Sequence, residues 1–307
     1  MKKTRILIDT DLGDDVDDAA AFMLAFSSPE LELAGVTTVF KDTEKRAQMV
    51  RDLLELWGQP SVPVAAGYGR ALIERRFDET EEPIQYGILR HPWETGAAPG
   101  QRGETSPEGE LRADDLILRS LKEDEDLVIL AMGAMTNLAV ACIRDPERMR
   151  RAKVIGMGGA FLNSQPEWNI ICDPEAARIV METVEDLVMM GLDVTKYLKI
   201  GEERLDAWRR RGDERMDYFL TGVEAFQKAT GYPVTFHDVL LVAYLLDEQV
   251  VSLKKGEFTV ELGGGLTRGT MVDRTGYYEI DPPVRGSFRF ADRVDLERFF
   301  RILDERF

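Results

Sequence analysis

Arg5-Ile6-Leu7-Ile8-Asp9-Thr10-Asp11-Leu12-Gly13-Asp14-Asp15-Val16-Asp17-Asp18-Ala19 decides the fold of this chain: an aliphatic run leads into an acidic loop, and the loop into a helix. The run reads as a strand, and Asp17 to Phe26 reads as the helix after it. The same order returns at Leu33 to Val39 before Thr43 to Trp57, and at Leu127 to Ala131 before Met135 to Arg144. Val154 to Met157 and Leu187 to Met190 are further short strands, with Asp173 to Thr183 as the helix between them. Alternation of this kind implies right-handed crossovers. It predicts an α/β fold, an open and mostly parallel sheet flanked by helices on both faces. In such sheets ligands collect beyond the carboxyl ends of the strands, which is where the acidic loop stands.

Two stretches interrupt the alternation. Residues 78 to 110 are rich in Glu, Gly and Pro, and residues 199 to 230 read as helical and heavily charged; both are candidates for lids or insertions. Past Glu248 short strands and turns take over, including Gly263-Gly264-Gly265 and Asp281-Pro282-Pro283, before an amphipathic helix from Val294 to Leu303. Residues 248 to 307 are therefore expected to be a C-terminal appendage within a single domain spanning 1 to 307. With 39 basic against 56 acidic residues and a formal charge of -17, the chain would repel a polyphosphate backbone, so nucleic acid is not an expected partner. No run of apolar residues approaches a membrane span, and the one after Lys2-Lys3 stops at Asp9, too soon for a signal sequence. Two distant cysteines, Cys142 and Cys172, lack metal-ligand spacing and suggest free thiols in a reducing, cytoplasmic compartment.

From Asp9 to Asp18 there are six carboxylates in ten residues. Their repulsion is costly without a counter-ion, and a hard divalent cation, calcium or magnesium, suits an all-oxygen donor set without His or Cys. The plainer alternative is a solvated loop whose last acids favour a helix amino terminus. An EF-hand is excluded, because Gly13 comes one position early and no helix precedes the loop.

The loop resembles the Asp-Thr-Asp-Pro-Gly-x-Asp-Asp-Ala element of the inosine-uridine preferring nucleoside hydrolases. Here Leu12 stands in place of the proline, and two extra residues separate Gly13 from Asp17-Asp18-Ala19. Four later segments resemble the family in the same order: Leu130-Ala131-Met132-Gly133-Ala134-Met135-Thr136-Asn137; Met157-Gly158-Gly159; Glu167-Trp168-Asn169-Ile170 with Asp173-Pro174-Glu175-Ala176-Ala177; and Phe236-His237-Asp238-Val239-Leu240. The resemblance implies calcium held by Asp11, Asp18, Asp238 and the Met132 backbone carbonyl, with Asp15 as the fallback ligand for Asp18. It implies ribose contacts from Asp17, Glu167 and Asn169, with weaker transfers to Asp42 and Asn163. Asp11 would act as general base toward the water attacking C1′, and His237 as the acid for the departing base. Relatives of this kind are commonly homodimers or homotetramers, and the expected partner is a small nucleoside.

Departures cluster around the base and the outer sugar face. Lys41-Asp42 replaces the usual Gly-Asn, the interval from Gly159 to Glu167 is short, and His91 lacks the His-Gly context. Trp168, Phe236 and Tyr232 are available for stacking, although aromatics at such positions often serve the core. Two other functions compete. Asp9-Thr10-Asp11 also resembles the nucleophile loop of haloacid dehalogenase-like phosphatases, with Asp9 phosphorylated and magnesium bound, and the same fold and metal could serve a non-catalytic ribose or nucleoside sensor.

Overall fold

Alternation along the central strands settles the layering, seen in a computed structural model that describes residues 3–74, 77–88, 111–276 and 287–307. In β1 (Thr4–Thr10), Ile6 and Ile8 enter one apolar core and Leu7 the other. β4 (Val128–Ala131) repeats this with Val128 and Leu130 against Ile129 and Ala131. Successive strand side chains point to opposite faces, so a strand apolar at every position needs cover on both sides. Helices α1 (Asp17–Phe26) and α2 (Thr43–Leu56) bury the first core, and α3 (Ala113–Glu123) and α4 (Thr136–Arg144) the second.

The remaining strands are β2 (Leu31–Thr38), β3 (Val64–Ala66), β5 (Lys153–Met157), β6 (Asp186–Met190), β7 (Val251–Val260), β8 (Met271–Asp273) and β9 (Ser287–Val294). Among the described residues they form one sheet in the order β3-β2-β1-β4-β5-β6-β9-β7-β8. Pairing is parallel from β3 through β9, and β7 runs antiparallel to both β9 and β8. The C-terminal strands thus extend the main sheet as its far edge. β1 lies between β2 and β4, so the strand order reverses beside it, and the crevice between the carboxyl ends of β1 and β4 is the natural ligand position of this topology.

α5 (Pro146–Arg150) precedes β5, α6 (Trp168–Cys172) and α7 (Pro174–Thr183) follow it, and α8 (Leu192–Thr195) follows β6. Residues 199–230 fold as α9 (Glu202–Arg209) and α10 (Glu214–Thr230), whose Leu205, Trp208, Met216, Phe219 and Val223 join the first core. They pack with α11 (Val239–Leu246) and α12 (Leu296–Arg306) in that core. His91 and Asp281-Pro282-Pro283 lie outside the described residues. Residues 81–88 reach the acidic loop: Gln85 N donates to the Gly13 carbonyl at 2.9 Å and Gln85 Nε2 to the Asp15 carbonyl at 2.7 Å.

Candidate active site

β1 hands its chain directly to the acidic loop. Met132 N donates to the Asp9 carbonyl at 2.7 Å, which locks the exit of β4 against the exit of β1. The loop turns at Gly13, whose φ of +117° is a backbone state that L side chains rarely adopt. Gly133 is required by proximity instead: an ideal Cβ there would lie 2.8 Å from Asp11 Oδ1, so the Asp11 carboxylate rests on the turn that carries the Met132 carbonyl.

Asp17 and Asp18 open α1, and Asp238 precedes α11 from far along the chain. All three are buried, and each offers one oxygen within 4.8 Å of the others, an arrangement that could hold a metal ion. Asp17 Oδ2 accepts from Asp238 N at 3.1 Å, and Thr10 Oγ1 donates to Asp18 Oδ1. Asp238 Oδ1 is buried with no hydrogen-bond partner among the described residues. A sequestered carboxylate oxygen without a donor is costly. Together with the all-oxygen donor set, that orphan fits a hard cation.

The charges tell the same story. Burial, and then the charges of Asp11 and Asp17, push Asp18 well above the ordinary carboxylate range; burial, Asp17, Asp18 and Asp11 do the same to Asp238. Burial raises Asp11 to about 7 against the opposing pull of Arg46, and raises Asp15 to about 8 with help from Asp17. Asp14 differs, since burial would raise it but the Arg46 guanidinium holds it below the usual value. Carboxyls raised by burial and by one another are those that a shared cation would ionise.

The sugar-side residues divide. Asn169 Nδ2 donates to the Met132 carbonyl at 2.6 Å and to the Met157 carbonyl at 3.2 Å, which brings it to the exits of β4 and β5. The Met132 oxygen keeps a second lone pair. Glu167 caps α6, accepting from Asn169 N at 3.0 Å and Ile170 N at 3.1 Å, and clamps Gly159 N at 2.9 Å. Asp42 caps α2 through Lys45 N at 3.0 Å and pairs with Lys45 Nζ at 3.0 Å. Asn163 is exposed and donates to Asp193 Oδ1 at 2.8 Å. The structure therefore brings Asp11, Asp17, Asp18, Met132, Asn169 and Asp238 together, whereas both carboxylate oxygens of Glu167 already accept from backbone N–H groups and Asp42 and Asn163 are engaged elsewhere.

His237 is held from both sides. Phe236 before it is completely buried, stacked on Trp208 at 6.0 Å and edge-on to Phe219 at 6.1 Å, so of the three aromatics singled out for stacking it belongs to the core. Such pairs are each worth about 0.5–1.5 kcal/mol beyond burial. The helices of residues 199–230 thereby brace the His-Asp pair. His237 Nδ1 meets Thr195 Oγ1 at 2.8 Å, and among the described residues Nε2 has no partner. Burial draws the imidazole pKa down, against an upward pull from Asp17.

Several supports went unread in the sequence. Thr10 holds Asp18, Thr195 orients His237, and Asn137 Nδ2 donates to Asp9 Oδ1 at 2.6 Å and to the Thr38 carbonyl at 3.0 Å. Thr37 Oγ1 also donates to Asp9 Oδ1 at 2.5 Å, and Asp9 is fully enclosed. Tied by Thr37 and Asn137, Asp9 is placed to support the loop, which does not favour the phosphatase reading. Arg46 had a signal, since it sits on the apolar stripe shared with Val50 and Leu53.

An open sheet with a buried carboxylate trio at its switch point that could hold a metal ion, and a braced histidine beside it, is an arrangement suited to metal-assisted hydrolysis. Residues 6–301 match the family described as inosine-uridine preferring nucleoside hydrolase. The pyrimidine-specific ribonucleoside hydrolase RihA of Klebsiella pneumoniae is 31% identical over 98% of this chain and 97% of its own length. Uridine nucleosidase 1 of Arabidopsis thaliana is 30% identical over 89% of this chain and 83% of its own. Among solved structures, the purine-preferring ribonucleoside hydrolase from Gardnerella vaginalis superposes with a TM-score of 0.79, at 27% identity over 99% of this chain and 98% of that one. The chain belongs to the inosine-uridine preferring nucleoside hydrolase family. It is a ribonucleoside hydrolase, an N-glycosidase whose substrate is a small nucleoside. No helix among the described residues is long and apolar enough to cross a membrane.

Proposed function

We propose that this enzyme is calcium-dependent and releases free base and ribose, with Asp11, Asp18, Asp238 and the Met132 carbonyl holding the ion. The observation that carries this reading is the buried, partnerless Asp238 Oδ1 beside Asp17 and Asp18. Calcium, when bound, would supply positive charge that lowers the pKa of a water at the site. Asp11 takes the proton of that water on a carboxylate oxygen. Asp17, Glu167 and Asn169 grip the sugar hydroxyls and favour the positively charged ring that develops as the bond to the base breaks. His237 gives a proton from Nε2 to the departing base, with Thr195 fixing the ring through Nδ1. Asp42 and Asn163 would reach the sugar only by giving up their present partners. Asp15 stays in reserve as a ligand, since its Oδ1 already accepts from Val16 N at 2.6 Å.

The test is a panel of ribonucleosides assayed for free ribose, with and without a chelator. Chelation should abolish release and added calcium restore it, while undiminished release in the chelated protein would sink the calcium assignment. Its relatives' names span pyrimidine-specific and purine-preferring enzymes, so the same panel assigns the base. We place the enzyme in the cytoplasm, a reading supported by two free, buried cysteines. The family resemblance favours a homodimer or homotetramer, and light scattering on the purified protein tests it.

A further inference from the structure

Arg46 is the bulkiest side chain to be fully enclosed among the described residues. A buried guanidinium is tolerated only where its donors and its charge are met. Here they are met mostly by one loop. Nη1 donates to the Asp11 carbonyl and, at 2.8 Å, to the Leu12 carbonyl, and Nη2 donates to Asp14 Oδ2 at 2.8 Å. Nε donates at 2.8 Å to the carbonyl of Phe40, in the loop after β2. Phe40 and Lys41 hold φ values of +69° and +57°, which side-chain-bearing residues avoid, so that second loop is itself held in an unfavourable shape.

The fork of a guanidinium is planar and rigid, and four contacts fix it completely. The peptide that carries Asp11 is thereby fixed to α2. On its other side the Asp11 carboxylate lies against Gly133, where a Cβ would stand 2.8 Å from Oδ1. Asp14 stands in the lengthened turn between Gly13 and Asp17, where it pairs with the fork.

We propose that Arg46 is a positioning residue for the metal-holding aspartates, acting through the Asp11 and Leu12 carbonyls with Asp14 as its counter-ion. The inference rests on Asp11 being a ligand. Charge alone predicts the opposite behaviour. Removing a cation from beside an anionic site should tighten the binding of a divalent ion, whereas loosening the loop should weaken it. A side chain that serves stability alone would lower the melting temperature and leave calcium affinity untouched.

Calcium titration calorimetry on the intact protein and its Arg46→Met, Arg46→Lys and Asp11→Ala variants, with thermal melts of each, separates these cases. Arg46→Met should weaken calcium binding about 10-fold or more. Arg46→Lys keeps the charge but lacks the fork, and should weaken it by about 3-fold or more. Wild-type or tighter affinity in either variant overturns the proposal. Should Arg46→Met fail to fold, Arg46→Lys decides. If Asp11→Ala binds calcium as the wild type does, the ligand assignment falls and this inference with it; if only the Arg46 variants bind normally, the ligand assignment stands and the inference alone is lost.

Discussion

Residues 9–18 and residues 202–217 each contain six carboxylates, yet they live under opposite conditions. In the second stretch Glu202, Glu203, Asp206, Asp213, Glu214 and Asp217 are all exposed. Arginines lie among them: Arg209 pairs with Asp206 at 2.7 Å and with Glu202 at 3.7 Å, and Asp213 caps α10. In the first stretch no basic residue intervenes, and its cations come from elsewhere, Arg46 at 2.8 Å and Lys41 at 3.6 Å from Asp14. Asp9, Asp17 and Asp18 are buried. Acid content is thus equal, and the difference lies in solvent access and local counter-charge. Where water screens them, acids only coat a helix; where it cannot, they demand an ion.

Substitutions should separate the two stretches widely. Asp18→Ala and Asp238→Ala are expected to lower kcat/KM for nucleoside hydrolysis by about 1,000-fold or more and to abolish calcium binding, read by ribose release and calorimetry. Either variant retaining both would erase the contrast. His237→Ala is expected to lower kcat by about 100-fold while calcium affinity stays within about 2-fold of wild type. A matching loss of affinity would make the histidine part of the cation site instead.

Acidity offers a subtler probe. Asp11 has a folded-state pKa of about 7 against the ordinary 3.8, so the calcium-free fold binds its proton more tightly than the unfolded chain does. Its contribution is fully present below the unfolded value and is lost as pH climbs through about 7. The gain in melting temperature from calcium should therefore widen by several degrees between pH 4.5 and 7.5. A gap that stays constant with pH would show the loop acids to be as indifferent as those of α9. The smallest effect belongs to that helix: Glu202→Gln and Asp206→Asn should each change stability by no more than about 0.5 kcal/mol and leave kcat unaltered, by denaturant melts and the ribose assay.

Much of this was legible in the chain. Asp17 to Phe26 is the helix the pattern predicts, with the same limits, because an alanine-rich run after clustered acids carries both its start signal and its apolar face. β3 is not legible in the sequence, as three residues hold too little periodicity. The sugar-side transfers to Asp42 and Asn163 met local competition, since short polar side chains near helix starts and turns bond their own backbone first. Arg46 was visible only as a cation on the apolar stripe of α2, and nothing local reveals that Thr195 faces His237 from 42 residues away.

The sequence by itself determined the alternating strands and helices, the acidic turn after β1 and the order of the segments that carry the family likeness, because each of these is written in neighbouring residues. Tertiary structure alone decided which acids share a site. Asp238 meets Asp17 across 221 positions because α11 packs against α1, and Arg46 reaches the loop across 35 because parallel β2 and β1 set the start of α2 beside it. Burial there turns ordinary carboxylates into groups that need a cation, and burial is a property no stretch of chain possesses before it folds.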